Sequence, residues 1–339
     1  MSRWLRRFLG VAVTFFFAAG LAGAQSLVVD TAYVEQALKG GNAIVWDARD
    51  AADYAEGHIP GAVNIGWVGD LFRDPNREDP PSAAAASKIF GGAGMDILGR
   101  EVIVYTTKGD PFAYFGARMV EYYGGKHAKV YHGGVEDWQA AGKALTKEPA
   151  KLAPIALNLP AEGQGALTTK DVVDRVRAGT AQIVDVRTPK EYAGEDIRAI
   201  RGGHIPGAVN IPYEQNWKDP ATPAKLAAKE VKTKDGMALK SPEELKALYA
   251  KLDPSKETIV YCQSGVRASE SAAVLRSLGF TNVKVYEPSW LGYAGVLSAP
   301  AANEVFVNVG ALNSRIASLQ GRVKDLEAEV AKLQAQAKR

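Results

Sequence analysis

Cys262 is the only thiol in this sequence of 339 residues, and its neighbours are those that a nucleophilic cysteine requires. A β-branched run, Thr258–Tyr261, predicts a buried strand before it, and Ala268–Leu278 predicts a helix after it. The residues from the thiol to that helix form a short loop: Cys262, Gln263, Ser264, Gly265, Val266 and Arg267. Because N–H groups that wrap into a helix N-terminus attract anions, this loop is expected to stabilise a thiolate and a bound oxyanion.

Two residues of the loop suit it to binding an anion. Gly265 allows a tight curl of the backbone, and the Arg267 guanidinium can fork onto an oxyanion. The carboxyl end of a parallel strand is also where open α/β sheets bind ligands. A lone cysteine can instead be an inert core residue or an intermolecular disulfide partner, but the inert alternative does not account for this glycine and arginine. We therefore predict that Cys262 is a nucleophile and that residues 263–267 bind the substrate anion.

An internal repeat indicates which elements position this loop. The nine residues Gly57–Ile65 recur without change as Gly203–Ile211, and similar β-branched runs flank both copies in the same order. A stretch rich in proline and glycine separates the copies. We predict a tandem duplication, with one domain over residues 25–148, a linker over 149–164 and a second domain over 165–300.

Short β-branched runs alternate with helical stretches within each copy. The predicted strands are Ala43–Trp46, Val102–Tyr105, Gln182–Val186, Thr258–Tyr261 and Val283–Tyr286. The predicted helices are Thr31–Lys39, Phe112–Tyr123, Thr169–Ala178, Ser241–Leu252 and Ala268–Leu278. This alternation predicts the α/β class, with two domains that each contain a mainly parallel sheet flanked by helices.

Together these motifs resemble the rhodanese, or thiosulfate sulfurtransferase, family. The resemblance rests on the Asp-x-Arg at 185–187, on Gly203–Ile211 and on the loop 262–267, and the duplication is similar to that of the mercaptopyruvate sulfurtransferases. It implies two rhodanese-like domains, a persulfide on the cysteine, and no need for a metal or organic cofactor. It also implies that only the second domain is catalytic, because Thr106 stands at the nucleophile position of the first.

The resemblance implies sulfur transfer from a small anionic donor such as thiosulfate to a thiol or cyanide acceptor. Two positions depart from the vertebrate thiosulfate and mercaptopyruvate enzymes that the chain resembles. Glu191 stands where those enzymes carry a substrate-binding arginine, and Arg267 stands where they carry a small hydroxyl residue. A carboxylate at residue 191 should help neither a dianion nor a keto acid to bind. We keep thiosulfate as the expected donor, before 3-mercaptopyruvate.

Four further residues are candidates for supporting roles in the site: Asp185, Arg187, Arg198 and Arg201. The first two have counterparts, Asp47 and Arg49, in the domain without a thiol, which favours an ion pair that fixes the strand end. The other two lie in a segment absent from the first copy, where they could bind an anionic substrate or belong to a solvated loop.

Two other functional classes fit parts of the pattern. Phosphatases of the same fold also close a cysteine loop with arginine, but with one more residue between the two, whereas four residues separate Cys262 from Arg267. A non-catalytic sulfur or selenium carrier, docked through its C-terminal segment to another exported protein, is the stronger alternative.

The first 24 residues predict a secretory signal peptide. Arg3, Arg6 and Arg7 form a basic region, Phe8–Leu21 is almost wholly apolar, and Ala22–Ala24 provides a small-x-small cleavage site. We expect cleavage after residue 24, export to the periplasm, and no membrane attachment afterwards. An uncleaved anchor is the alternative, although the apolar run is shorter than a typical membrane span.

The net charge of +3 belongs to this leader. The chain has 41 Lys and Arg against 38 Asp and Glu, and the leader holds three arginines and no acidic residue. The remainder is therefore balanced, which predicts no basic surface for nucleic acid or anionic lipid. A hydrophobic content of 47% and a single cysteine exclude a disordered chain, a disulfide scaffold and a cysteine-based zinc site.

The C-terminal residues 304–339 carry a heptad pattern. Its apolar positions are Leu312, Ile316, Leu319, Val323, Leu326, Val330 and Leu333. β-branched residues at a with leucine at d favour a parallel two-stranded coiled coil, and Arg322 at g is placed to pair with Glu327 at e of a partner. We expect a coiled-coil homodimer; the alternatives are an amphipathic helix folded onto its own domain and pairing with another protein.

Overall fold

The computed structural model describes residues 27–74, 79–160, 163 and 166–337. The predicted signal peptide, residues 1–24, lies outside them. Two α/β domains follow one another along the chain, and a long helix follows the second. None of the helices in the described part of the chain is long and apolar enough to cross a membrane.

The first domain is built around a five-stranded parallel sheet of order β1-β5-β4-β2-β3. Its strands are β1 (Val28–Val29), β2 (Ala43–Asp47), β3 (Val63–Asn64), β4 (Glu101–Tyr105) and β5 (Ala128–Tyr131). Its helices are α1 (Thr31–Gly40), α2 (Ala51–Glu56), α3 (Val68–Leu71), α4 (Ala83–Gly92), α5 (Phe112–Tyr122) and α6 (Gly134–Ala140). The central strands are buried on both faces, which is why their sequences are continuous apolar runs.

The second domain repeats this plan. Its strands are β6 (Gln182–Asp185), β7 (Arg201–His204), β8 (Val209–Asn210), β9 (Thr258–Tyr261), β10 (Val283–Val285) and β11 (Ala302–Phe306). Its helices are α7 (Thr169–Ala178), α8 (Pro189–Ala193), α9 (Thr222–Ala227), α10 (Pro242–Leu248), α11 (Val266–Ser277) and α12 (Ser289–Gly295), with 3-10 turns at Tyr213–Asn216 and Asp235–Met237. The parallel sheet has the order β10-β9-β6-β8, and β7 pairs with β11 in a separate antiparallel ribbon.

The duplication extends to the register of the sheets. Asp47 on β2 is paired with Tyr105 on β4, and Asp185 on β6 is paired with Tyr261 on β9. In both domains the strand that carries the aspartate lies between the strand of the tyrosine and a short strand from the repeated nonapeptide. The predicted class, α/β with two domains built on mainly parallel sheets, is confirmed.

Helix starts in the second domain are specified locally. The side chains of Thr168, Thr188 and Ser241 each accept a hydrogen bond from the backbone N–H three residues later. The acidic side chain at that later position accepts a hydrogen bond from the N–H of the cap residue. Such capping boxes satisfy N–H groups that the first helical turn leaves without partners. At the start of α8, the acidic residue is Glu191, so the cap also fixes a carboxylate beside the loop formed by residues 262–267.

The predicted linker, residues 149–164, packs along the first domain where it is described. Leu159 is buried in the first-domain core, and Leu152 and Leu157 pack against it. The Ile155 N–H donates to the Gly91 carbonyl at 2.9 Å. The segment therefore extends the first domain before the chain reaches α7.

The two domains meet along α5 and α11, the helices that follow equivalent loops. Val266 and Ala273 of α11 join the hydrophobic core of the first domain. Arg276 on α11 donates to the Glu121 carboxylate on α5 at 2.9 Å. Because α11 lies between its own sheet and the other domain, it is buried on almost every side, which explains its small residues and weak amphipathicity.

The C-terminal helix begins later than the sequence predicted. Residues 304–306 belong to β11, and α13 runs over Val309–Ala337. The strand forms because β11 pairs with β7, and an ion pair between Arg201 and Glu304 fastens the two. The apolar stripe of α13 is exposed, and its members are all about half exposed: Leu312, Ile316, Leu319, Val323, Leu326, Val330 and Leu333.

Candidate active site

The end of β6 is fixed by a buried network around Asp185. Arg187 donates through Nη2 to Asp185 Oδ2 at 2.6 Å and to the Gly203 carbonyl at 2.7 Å. The Tyr261 hydroxyl donates to the same carboxylate at 2.6 Å and accepts from the Ile205 N–H at 3.1 Å. The network thereby joins β6, the strand before the thiol and the repeated nonapeptide.

The first domain contains the same network. Arg49 donates to Asp47 Oδ2 at 2.7 Å and to the Gly57 carbonyl at 2.8 Å. The Tyr105 hydroxyl donates to Asp47 at 2.8 Å and accepts from the Ile59 N–H at 3.1 Å. Since the domain that lacks a thiol has these contacts too, Asp185 and Arg187 are framework residues that hold the strand end.

Cys262 lies immediately after β9 and is 1% exposed. Its N–H donates to Ser289 Oγ at 3.2 Å, and its carbonyl accepts from the Trp290 N–H at 3.0 Å. The thiol thus stands between the end of the sheet and the N-terminus of α11, which begins four residues later at Val266. This is the position that the sequence predicted for a nucleophile on an anion-attracting helix start.

The loop after the thiol is held from both sides. Gly265 has φ +86, a conformation that favours glycine, and a Cβ there would lie tightly against Glu287 Oε2 at 3.1 Å. The buried Gln263 side chain donates to the Arg198 carbonyl at 2.7 Å. Arg118 of the first domain lies 2.7 Å from Glu287, behind the loop.

The structure corrects the role expected of Arg267. Its Nη1 and Nη2 atoms donate to the two carboxylate oxygens of Glu191 at 2.8 and 2.9 Å, so its fork is already bound inside the protein. Burial alone would raise the pKa of Glu191, but the hydrogen bonds and charge of Arg267 lower it to about 2. Arg267 therefore closes the loop as half of an ion pair and is not a free clamp for an oxyanion.

Arg198 and Arg201 occupy different places. Arg198 is about half exposed near the loop, with Nη1 at 3.3 Å from Glu191 Oε1. Arg201 is buried and donates to the carbonyls of Ala294, Val296 and Ala299, besides its ion pair with Glu304. Its guanidinium is used to hold the C-terminal strand, so the structure does not bring Arg201 to the anion site, contrary to that expectation.

Arg73 is a residue of the candidate site that the sequence did not predict. It comes from the first domain, and its Nη2 atom donates to Ser264 Oγ of the loop after the thiol at 2.6 Å. No local pattern marks this arginine, because its relation to the loop depends on how the two domains dock.

The equivalent position in the first domain has a different character. Thr106 is buried after β4, and a cleft of about 360 Å³ beside it is lined by Arg49, Asp50, Asp53, Trp67, Asp70, Thr107 and Asp110. The only basic residue of this lining, Arg49, is paired with Asp47. The cleft is therefore acidic and has no group that could carry a sulfur atom.

The site of the second domain is of a definite class. A buried cysteine follows a parallel strand, a glycine-containing loop wraps it into a helix N-terminus, and three arginines lie around the loop. Among the described residues, no group of three or more His, Cys, Asp or Glu side chains is arranged to hold a metal ion. A cysteine at a helix N-terminus near cationic groups is the kind of site in which the thiolate, the nucleophilic form, is favoured.

A family model for the rhodanese-like domain matches the chain twice, over residues 30–141 and 168–295. The chain belongs to the rhodanese family as a tandem-domain member, and its relatives are sulfurtransferases and sulfur carriers by name. It is 31% identical over 270 residues to the thiosulfate sulfurtransferase of Corynebacterium glutamicum, covering 76% of this chain and 83% of that one.

The chain is also similar to a sulfur carrier protein in sequence and to a sulfotransferase in structure. The sulfur carrier protein TtuD of Thermus thermophilus is 32% identical over 292 residues, covering 81% of this chain and 96% of its own. The crystal structure of the 3-mercaptopyruvate sulfotransferase SseA from Escherichia coli superposes with a TM-score of 0.62 and 25% identity, covering 78% and 99% of the two chains.

Proposed function

We propose that this protein is a thiosulfate sulfurtransferase that carries the transferred sulfur as a persulfide on Cys262. The observation that carries the proposal is the position of this thiol, buried between the end of β9 and the N-terminus of α11 with Arg73, Arg198 and Arg267 around it. Cationic groups and helix N–H groups stabilise a thiolate and the anions it reacts with.

The first step loads the cysteine. The Cys262 thiolate attacks the sulfane sulfur of thiosulfate, a sulfur–sulfur bond forms, and the bond to the sulfonate breaks. Sulfite leaves with that electron pair, so a thiolate and a thiosulfate dianion become a persulfide anion and a sulfite dianion. In this proposal the N–H groups of residues 263–267 stabilise the developing negative charge.

The second step transfers the outer sulfur of the persulfide from Cys262 to an acceptor. Cyanide, or the thiolate of an acceptor, attacks the outer sulfur of the persulfide and forms a bond to it. The sulfur–sulfur bond of the persulfide breaks towards Cys262, which returns as the thiolate, and thiocyanate or a new persulfide leaves. This covalent route predicts ping-pong kinetics.

The likeness to the thiosulfate sulfurtransferase of Corynebacterium glutamicum supports thiosulfate as the first candidate donor. The likeness to SseA keeps 3-mercaptopyruvate as the second candidate donor.

A sulfur carrier is the alternative function, and the likeness to TtuD favours it. A carrier forms the persulfide but passes the sulfur only to a protein partner. Turnover with small acceptors separates the two functions.

The proposal is tested by thiocyanate production from thiosulfate and cyanide, with Cys262→Ser as the test variant and Thr106→Ser as its control. Both variants change the equivalent position of a domain, and only the first removes a thiol. We expect the wild type and Thr106→Ser to turn over and Cys262→Ser to be inactive. A wild type that forms the persulfide but never turns over supports the carrier, and activity in Cys262→Ser contradicts both functions.

We also propose that residues 1–24 direct export to the periplasm. The support is the order of a basic region, an apolar run and Ala22–Ala24 in the sequence. Fractionation of cells that produce the full chain should release a protein whose N-terminus is Gln25. A chain that stays in the cytoplasm with Met1 or Ser2 at its N-terminus contradicts export.

The exposed stripe of α13 supports a parallel homodimer. Ile316, Val323 and Val330 occupy a positions and leucines occupy d positions, the arrangement that favours two strands. In a parallel pair Arg322 faces Glu327 of the second copy, and no like charges oppose each other at g and e. Sedimentation equilibrium of the full chain should give a dimer.

A further inference from the structure

Arg73 reaches the catalytic loop from the other domain. It lies two residues after α3 ends at Leu71, and its Nη2 atom donates to Ser264 Oγ at 2.6 Å. Its guanidinium also lies over the ring of Phe112, 5.9 Å from the ring centre. A hydrogen bond and an aromatic face together restrict the orientation of the guanidinium, so it is positioned before any ligand binds.

The charges around the thiol give this arginine a distinct role. Arg267 is bound at both nitrogens by Glu191, and Arg187 is paired with Asp185, so these two cations are compensated within the second domain. Arg73 approaches the loop from the first domain, where the Cys262 thiolate attracts its guanidinium and the Arg198 guanidinium repels it.

An anion bound next to Arg73 would attract its guanidinium and offset the repulsion from Arg198. Burial lowers the pKa of Arg73, attraction to the Cys262 thiolate opposes that shift, and repulsion from Arg198 adds to it. An oxyanion with several oxygens can accept two parallel N–H bonds from one guanidinium and further bonds from the loop. A sulfonate group has this geometry, and a sulfane sulfur attached to it would point to the cysteine.

We propose that Arg73 binds the oxyanion end of the sulfur donor, so that the first domain completes the donor site of the second. This inference rests on the proposed sulfurtransferase function and adds a specificity-determining residue to it. It also gives the thiol-less domain a task, since the contact of α5 with α11 holds Arg73 within reach of Ser264.

The kinetic test compares Arg73→Met, Arg73→Lys and Arg276→Met in the full chain. Arg276 also joins the domains, through Glu121, but has no part in the site, so its variant controls for loosened docking. We expect Arg73→Met to raise the KM for thiosulfate roughly ten- to a hundredfold, the range for one charge-assisted hydrogen bond, with a smaller change in kcat. Arg73→Lys should restore part of the loss, because it keeps the charge without the fork.

Loading from inorganic polysulfide separates donor binding from a general effect on the loop. Polysulfide carries sulfane sulfur but no oxyanion, so Arg73→Met should load Cys262 from it at close to the wild-type rate. An unchanged KM for thiosulfate in Arg73→Met overturns the inference. So does an equal loss with polysulfide, or an equal loss in Arg276→Met.

Binding measured without turnover distinguishes failure of this inference from failure of the proposed function. Calorimetric titration of thiosulfate into Cys262→Ser should show binding that the added Arg73→Met change weakens by roughly the same ten- to a hundredfold. If the wild type does not turn over but this weakening is observed, the proposed function fails and the anion-binding role of Arg73 stands. If thiosulfate binds equally with and without Arg73, the inference fails whatever the turnover.

Discussion

Arg267 and Glu191 form a two-bond ion pair at the edge of the loop that follows Cys262, with nitrogen–oxygen distances of 2.8 and 2.9 Å. The carboxylate comes from the first turn of α8 and the guanidinium from the first turn of α11. The pair therefore ties the elements that follow two neighbouring strands, β6 and β9, and fixes the mouth of the loop. A cation that the sequence predicts for substrate binding is used to hold the loop closed.

Removing this carboxylate should lower stability in a pH-dependent way. The pKa of Glu191 is about 2 in the folded protein, below its ordinary value of 4.5, so the ion pair contributes fully above about pH 4.5 and is lost as pH falls towards 2. We expect Glu191→Gln to reduce the free energy of unfolding at neutral pH by about 2 kcal/mol, less than for a fully buried pair. The free energy of unfolding of this variant should also change less between these pH values than that of the wild type. Urea unfolding across the range measures both, and equal stability of variant and wild type would contradict the structural role.

Ser289 adopts a backbone conformation that suits glycine. Its φ is +48, and the equivalent residue of the first domain, Gly134, has φ +56. Its hydroxyl accepts from the Cys262 N–H and donates to the Tyr286 carbonyl at 2.8 Å. These two hydrogen bonds offset the cost of a left-handed backbone conformation at Ser289, next to the thiol.

Two substitutions at this residue separate the hydrogen bonds from the strain. Ser289→Ala loses both bonds and keeps the strain, so we expect a loss of about 1–3 kcal/mol in the free energy of unfolding. Ser289→Gly loses the same bonds but relieves about 1 kcal/mol of left-handed strain, so it should be the more stable of the two. The midpoints of urea unfolding compare the two variants. An alanine variant at least as stable as the glycine variant would contradict backbone strain at residue 289.

A thiol placed in the first domain should not create a second active site. In Thr106→Cys combined with Cys262→Ser, the new thiol would lie next to Thr107, which lines an acidic cleft with Asp50, Asp53, Asp70 and Asp110. These carboxylates repel both a thiolate and a dianionic donor. We expect no thiocyanate production above the Cys262→Ser background. Turnover in the double variant would contradict this prediction, because it would show that a cysteine after the strand is sufficient for sulfur transfer.

Truncation of the C-terminal segment should depend on where the chain is cut. A chain ending at Val307 keeps β11 and its ion pair with Arg201, so we expect a stable monomer with the activity of the full chain. A chain ending at Pro300 loses both and leaves the buried Arg201 without its carboxylate, which should lower the melting temperature. Sedimentation and thermal unfolding measure these effects. A dimer after the Val307 cut would contradict the coiled coil.

The fold was predictable because its signals are local and repeated. Buried strands such as Thr258–Tyr261 are continuous apolar runs, and a nine-residue identity reveals the duplication without any structural information. The position of Cys262 follows from one strand and one helix that are adjacent in sequence. Each of these inferences needs only short-range information.

The partners of the arginines were not predictable because they are set by tertiary contacts. Arg267 meets Glu191 across 76 residues, Arg201 meets Glu304 across 103, and Arg73 meets Ser264 across 191. An arginine side chain carries the same charge whether it binds a carboxylate, a carbonyl or a ligand. Its role therefore depends on domain docking and on strand pairing, neither of which a single sequence displays.

The most direct test of the central claim is the intact mass of the full chain after one equivalent of thiosulfate without an acceptor. The account predicts that the mass rises by one sulfur atom, that the addition maps to Cys262, that sulfite is released in equal amount, and that cyanide then removes the sulfur as thiocyanate. A chain whose mass does not change, or an addition that persists in Cys262→Ser, would contradict it.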